Sequence, residues 1–426
     1  TRENVQFHYI EIKDLPAIFD LMKSVGLTSR MASGDGPRPI VACPVAGIEM
    51  GEIYDATHLV KEVDTYFDQN SDQYSNFPRK YKIGISGCKC ACTPYEIQDI
   101  AFRAFKQDDE VLFDLTVGGG LSKSKQIAYR AKRYVKIDQV KDVAVVCSEI
   151  FRDHGNRQSR NKARVRHLVN DWGLEKFVAE IETRLGYTLM TGEVEPEVES
   201  YENRNHLGIT KAAQKGESYI GFATNAGRVA GADFVKMYHI LKKYDAKGMR
   251  LTTTQNFVVF GVKDEVAQNI ADEIDALGYP YEPTIFRARM QSCTGSEFCK
   301  FGITETKTFT QKVILELEEK FPNFEENIMI SISGCVNACS HPQISDIGFI
   351  GCKVKNDEGK RVEGYEIHFG GNLKGEKASV FASPTGIKIP ATKVTDYIGD
   401  LITQYQADPK DTATFKEYIA AIPIDK

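Results

Sequence analysis

The sequence predicts an α+β protein made of two copies of one unit, and three observations carry that prediction. ISGCKCACTPYEIQDIAF (85–102) is mirrored by ISGCVNACSHPQISDIGF (332–349), and VGGGL (117–121) by FGGNL (369–373). TRENV at residues 1–5 likewise answers TTQNF at 253–257. Helical patterns that end at glycines stand beside a strand-like alternation. Self-similarity of this kind marks a repeated structural unit, here two copies about a pseudo-two-fold.

Taken in order, the first helix is expected between Asp14 and Gly26. Asp14 is a natural N-cap and Gly26 a natural C-cap, with Leu15, Ile18, Met22 and Val25 as the apolar stripe. Its counterpart runs from Asp264 to Gly278. Lys80 and Lys82 alternate along a strand and point to one face. Cys335 and Cys339, spaced i and i+4, are expected on one side of a helical turn. The run Arg157, Arg160, Lys162, Arg164, Arg166 reads either as a solvated helix face or as a set of anion contacts. VEPEVESYENRN (194–205) is acidic and lacks apolar periodicity, so it reads as the linker between copies.

The 426 residues suffice for two or three domains. A formal net charge of −5 gives no global basic field for nucleic acid, and no apolar run is long enough to span a bilayer. Ten cysteines without a secretion signal read as cytoplasmic thiols and metal ligands rather than disulfides.

Four of these cysteines form two pairs, Cys293-x5-Cys299 and Cys335-x3-Cys339. Neither pair has the C-x2-C spacing of a zinc knuckle, and four thiolates are what a [4Fe–4S] cluster requires. Spacing alone leaves iron–sulfur, zinc and structural thiols open. The first copy differs from the second. Cys43, Cys88 and Cys92 match Cys293, Cys335 and Cys339, but Glu49 stands where Cys299 would be. Conversely, Arg2, Arg38, Lys80 and Lys82 match Thr254, Ala288, Asn327 and Met329. One copy carries thiols and the other carries charge. Cys43, Cys88, Cys90 and Cys92 leave a second metal site open.

In combination, SGDGPRPIVACPVAG, FPRKYKIGISGC and HGNRQSRNKARVRHLVNDWGLEKF resemble the first half of the sirohaem- and [4Fe–4S]-containing sulfite and nitrite reductase family. RLTTTQNFVVFG, SCTGSEFCKFGITETK and SGCVNACSHPQISDIGFIG resemble its second half. The resemblance spans nearly the whole chain. It implies ferredoxin-like half-domains plus two mixed α/β sirohaem-binding domains around the pseudo-two-fold. Cys293, Cys299, Cys335 and Cys339 would hold the cluster, with Cys339 also bridging to sirohaem. Arg2, Arg38, Lys80 and Lys82 would bind the oxyanion. Arg79, Gly118, Gly119 and Gly120 would contact sirohaem, whose many carboxylates call for basic partners.

The implied domains are 1–30, the remnant of a first ferredoxin-like half-domain; 31–200, a first sirohaem and substrate domain; 201–280, the second half-domain; and 281–426, the cluster domain. The second copy carries a half-domain before its TTQNF motif, so about 45 further residues are expected ahead of residue 1. The implied activity is six-electron reduction of sulfite to sulfide with electrons from ferredoxin. Lys82 favours sulfite, because plant-type nitrite reductases tend to carry Asn there. Nitrite reduction to ammonium and an inactive cluster-binding redox relative are the alternatives. No G-x-G-x-x-G fingerprint follows a strand, so the donor is external, with an NADPH flavoprotein subunit as the second choice.

Overall fold

Three sheets, one in each copy and one between them, organise the chain in the computed structural model, which describes residues 1–90, 92–196, 205–373, 378–407 and 414–424. The first runs in the order β1 (Ile83–Ser86), β2 (Ile100–Gln107), β3 (Glu110–Val117), β4 (Tyr129–Lys136), β5 (Met190–Thr191). The central one contains β6 (Gly208–Lys211), β7 (Glu217–Phe222), β8 (Gly248–Leu251) and β9 (Phe257–Lys263), ordered β6-β7-β9-β8 and antiparallel throughout. Helices Gly231–Lys243 and Ala267–Asp275 pack Met237, Leu241, Ile270 and Ile274 against Ile220, Phe222, Phe257 and Val259. This is a ββαββα half-domain of ferredoxin-like type. The third sheet is ordered β10 (Met290–Ser292), β11 (Ile330–Ser333), β12 (Ile347–Lys355), β13 (Arg361–Phe369), β14 (Ser383–Pro390).

The duplication is visible in register. β1 and β2 are parallel with Ile83 opposite Ile100; β11 and β12 are parallel with Ile330 opposite Ile347. Each pair continues into an antiparallel strand, Ile100 opposite Val117 and Ile347 opposite Phe369. The second copy adds β10, whereas the first has isolated parallel bridges there, Pro37 with Tyr81 and Val41 with Gly84. One apolar core gathers on helix Val140–His154, the other on helix Val394–Ala407.

A buried aspartate secures each crossover. Asp99 accepts from the Lys82 backbone N–H at 2.8 Å, and Asp346 accepts from the Met329 N–H at 2.7 Å. The backbone N–H groups of Gly118 and Gly370 bond the carbonyls of these same aspartates at 2.8 and 2.9 Å. Both glycines take the left-handed conformation, with φ of +81° and +78°.

Several expectations change in detail. The first helix spans Leu15–Ser24, but Asp14 makes no side-chain cap and no residue of the helix is buried. Gly26 does end it, at φ +76°, with the Leu27 N–H reaching the Met22 carbonyl at 2.8 Å. Asp264 lies inside a 3-10 turn rather than at its cap. Its carboxylate is taken by the Ser218 hydroxyl at 2.7 Å and by Lys211 at 2.8 Å. The segment from Cys335 to Cys339 is not helical. A parallel crossover must turn the chain sharply there, and Ala338 and His341 do so with left-handed backbones. Most of the expected linker, residues 197–204, lies outside the described residues.

Gly119 leaves no room for a side chain. A Cβ there would lie 2.4 Å from the Glu96 carbonyl oxygen and 2.6 Å from that of Gln98, both backbone atoms. Gly119→Ala is therefore expected to lower unfolding free energy by about 1–3 kcal/mol in denaturant titrations. Gly231→Ala, at a helix start with nothing within 4 Å, should leave it unchanged or slightly higher.

Candidate functional site

The start of β1 brings the first copy's cations together. Tyr81 and Ile83 are buried, Lys80 and Lys82 point the other way, and Tyr81 pairs in parallel with Pro37, which places Arg38 beside them. Asp99 is the pivot. Besides the Lys82 N–H it accepts both arms of Arg164, at 3.0 and 2.7 Å. Arg2 reaches the same place from the N-terminal segment. It donates to Gln98 Oε1 at 2.8 Å and to the Pro39 carbonyl at 2.6 Å.

These groups perturb one another. Burial, together with Arg2, Arg164 and Lys80, holds the Lys82 ammonium well below its ordinary range, and Asp99 only partly offsets them. Burial and Arg164 depress Lys80 as well. Burial lowers Arg2 to about 10, against the pull of Asp99 and Glu3. Arg2, Lys80 and Lys82 are only half-buried by surface, yet strongly desolvated, as groups lining a hollow would be.

Several guanidinium donors in this region have no partner. Arg2 Nε, Arg38 Nη1, and Arg166 Nε and Nη1 are all buried without a hydrogen bond. Unpaired buried donors are costly, and an anion supplying several oxygens would satisfy them.

The basic run divides. Arg157 is exposed and bonds Asn76 and the Arg152 carbonyl, and Arg160 pairs with Asp35 on the surface. Arg79 lies 3.9 Å from the same Asp35. Arg164 and Arg166 are buried. The turn Gly118–Gly120 packs around this inner pair: a Cβ on Gly120 would lie 2.2 Å from Arg166 Nη1. The turn thus shapes the space around Arg166, the group left with free donors. Sequence reasoning did not single it out, because the alternation of basic residues runs unbroken from Arg160 to Arg166.

The thiols of the second copy sit opposite. The Gly334 N–H points at Cys293 Sγ from 3.1 Å, and Gly334 can come this close because its Cβ position lies 2.9 Å from the Thr304 carbonyl. Cys299 is held by its N–H to the Gly295 carbonyl at 2.9 Å. Cys335 is buried, whereas Cys339 is accessible. Though its surface is accessible, crowding by neighbouring protein atoms and Cys293 raise the Cys339 thiol, while Lys80 and Lys82 lower it, so the cations of one copy face a thiol of the other. The N-terminal segment joins the two. His8 stacks on Phe298 with ring centroids 3.8 Å apart, Tyr9 bonds Glu297 at 2.6 Å, and the Thr1 hydroxyl reaches the Cys339 carbonyl at 3.2 Å.

A single tetrahedral ion bound through sulfur would draw the thiols to about 3.8 Å from one another. Among the described residues, no three of Cys293, Cys299, Cys335 and Cys339 bring their sulfurs within 4.8 Å. Their spread suits a cluster better than one ion. In the second copy the place matching the hollow is a cavity of about 60 Å³ lined by Thr254, Arg289, Met329 and Asp346.

Fold and site together define a duplicated protein in which a set of four thiols in one copy reaches, through Cys339, the cationic hollow of the other. The family model for the nitrite and sulphite reductase 4Fe-4S domain matches residues 33–189 and 287–426, and that for the nitrite/sulfite reductase ferredoxin-like half domain matches 211–277. The chain belongs to the nitrite and sulfite reductase family. It is 34% identical over 423 residues to Sulfite reductase [ferredoxin] 1 of Mycolicibacterium paratuberculosis, covering 98% of this chain and 75% of that protein. It is 31% identical to the assimilatory ferredoxin-dependent nitrite reductase of Haloferax mediterranei, covering 99% and 74%. The structure of Mycobacterium tuberculosis NirA protein superposes with a TM-score of 0.91 at 30% identity, covering 98% of this chain and 76% of that one. Sirohaem and a [4Fe–4S] cluster are the cofactors that membership entails, and the residues present fit both: spread thiols for the cluster, unpaired buried guanidinium donors for a carboxylate-rich tetrapyrrole.

Glu3 at the edge of the hollow gives a stability test. It matches Gln255, whose amide bridges Ser292 at 2.8 and 3.0 Å, while Glu3 Oε2 accepts from the Ala42 N–H at 3.5 Å. Burial pushes the Glu3 carboxyl up to about 8 from 4.5. The native state therefore prefers it protonated, and its contribution is lost as pH rises from the ordinary carboxyl range towards 8. Glu3→Gln should raise the melting temperature at pH 8 and leave it little changed at pH 4.5. Equal shifts at both pH values would contradict this origin.

Proposed function

We propose that the chain is an assimilatory sulfite reductase that takes electrons from ferredoxin and reduces sulfite to sulfide by six electrons. The observation that carries this is Lys82, placed at the start of β1 by the bond of its N–H to Asp99 and desolvated in the field of Arg2, Arg164 and Lys80. Cys293, Cys299, Cys335 and Cys339 are assigned to the cluster, and Cys339 also to sirohaem. Arg79, Arg166 and the turn Gly118–Gly120 are assigned to the rim of sirohaem. Arg2, Arg38, Lys80 and Lys82 are assigned to the oxyanion. We also propose the domain division 1–30, 31–200, 201–280 and 281–426.

When bound, the two cofactors supply the electrons and the metal that takes up the substrate. The chain's own residues supply charge and protons. Arg2 and Arg38 offer fixed forks whose charge persists at any working pH. They orient an anion's oxygens and polarise their bonds to the central atom. Lys80 and Lys82 hold their protons less firmly than exposed lysines do, so each can donate to an oxygen leaving as water. Asp99 fixes Lys82 through its backbone and leaves the ammonium free to point at the substrate.

Ferredoxin as donor is supported by relatives whose names specify it, and an NADPH flavoprotein subunit is the alternative. No helix among the described residues is long and apolar enough to cross a membrane, and a cytoplasmic location accords with the reading. Nitrite reduction to ammonium is the second reading, favoured by the relative named for that reaction.

Turnover of holoprotein with a reduced donor should be faster on sulfite than on nitrite. Lys82→Asn removes one positive charge from the pocket and should move the sulfite-to-nitrite ratio of kcat/KM towards nitrite by about tenfold or more. An unchanged ratio removes Lys82 as the determinant. Faster nitrite turnover by the wild type establishes the second reading.

A further inference from the structure

The first copy lacks the fourth thiol of a cluster, yet its remaining thiols have not drifted apart. Cys43 and Cys92 lie with His206 in a set whose ligand atoms are all within 4.8 Å of one another, and all three residues are buried. Cys92 Sγ is 3.1 Å and Cys43 Sγ 3.9 Å from His206 Nε2. Cys88 lies beside this set, with its sulfur 3.5 Å from Cys92 Sγ. We propose that Cys43, Cys92 and His206 bind one zinc ion, with the neighbouring Cys88 as the fourth ligand that closes a tetrahedral shell.

The distances suit one ion. Zinc bonds of about 2.3 Å to sulfur and 2.0–2.1 Å to nitrogen set neighbouring ligand atoms about 3.5–3.8 Å apart. The separations of 3.1 Å (Cys92–His206), 3.5 Å (Cys88–Cys92) and 3.9 Å (Cys43–His206) bracket that range, whereas among the described residues no three of Cys293, Cys299, Cys335 and Cys339 come within 4.8 Å. A second [4Fe–4S] cluster lacks the thiol that Cys299 supplies in the other copy, because Glu49 stands in that slot. Glu49 gives its N–H to the Val45 carbonyl at 3.1 Å and sits opposite Ala212 in an antiparallel bridge. Cys90 is half-buried nearby and outside the four.

The surroundings hold the ligands in place. His206 takes a left-handed backbone with φ of 50°. Its carbonyl presses so close to Gly221 on β7 that a Cβ there would lie 1.6 Å away, so glycine is required for this docking. The Thr253 hydroxyl holds the Cys92 carbonyl at 3.2 Å, and the Cys88 sulfur accepts from the Cys92 N–H at 3.5 Å. Outer contacts of this kind orient metal ligands. Val45, Ala46, Ile48, Tyr219 and Val258 seal the group from water, as a structural rather than catalytic zinc requires. The ion would staple the first copy to the start of the central half-domain, where the second copy uses the same positions to hold a redox cluster.

The test is independent of the reductase reading. Holoprotein from zinc-supplemented cells, purified without chelator, should hold about one zinc per chain. Absorption fine structure at the zinc edge should fit three sulfurs near 2.3 Å and one nitrogen near 2.0–2.1 Å. His206→Ala should lose the zinc with iron content unchanged. Should that variant not fold, His206→Cys should keep the zinc and convert its shell to four sulfurs. Zinc below a tenth of stoichiometry in the wild type, a shell of oxygen and nitrogen alone, extra iron in place of zinc, or a Cys88–Cys92 disulfide would each overturn the proposal.

Discussion

The carboxylate of Asp99 is the contact on which the site depends. It is fully buried at the crossover from β1 to β2, where it takes the Lys82 N–H and both arms of Arg164. That one group fixes where the strand begins, and hence the side to which Lys80 and Lys82 point. It also neutralises only one of the cations drawn around it. Arg2, Arg38, Arg166 and the two lysines remain in excess, with guanidinium donors unpaired. Burying like charges together costs several kcal/mol per uncompensated ion unless an anion joins them. Both sirohaem's carboxylates and an oxyanion substrate are of that kind.

Duplication explains how such a place could be built without new scaffolding. Asp346 makes the same backbone contact in the second copy, but Met329 stands where Lys82 does, and only a small cavity remains. The thiol positions diverge in the opposite sense. In the second copy the Gly334 N–H points at Cys293, and hydrogen bonds to ligating sulfurs are among the factors that set a cluster's potential. In the first copy a histidine from beyond the copy closes a tighter set. One backbone therefore serves charge on one side and sulfur on both.

The duplication, the spread cysteines and the cationic substitutions were legible because each is a difference between aligned positions of one chain. What joins residues far apart in sequence was not legible. Arg164 lies 65 positions from Asp99, and nothing local marks it apart from Arg157 or Arg160, which end on the surface. His206 adjoins an acidic stretch without a motif, and only folding brings it to Cys92. The Cys335–Cys339 spacing suggested a helix, because i and i+4 is a helical signature. The constraint of a parallel crossover prevailed, through left-handed backbones at Ala338 and His341 that no propensity scale would favour. The first helix reads as amphipathic, yet it buries none of its residues.

The central claim is that uncompensated positive charge in the hollow recruits an anionic cofactor. Uptake of sirohaem by the apoprotein, followed by its visible absorption across a series of potassium chloride concentrations, tests this most directly. Charge-driven recruitment should make the apparent affinity fall steeply between low and molar salt, and Arg166→Met should flatten that dependence. Affinity indifferent to salt in the wild type, and untouched by Arg166→Met, would contradict the account.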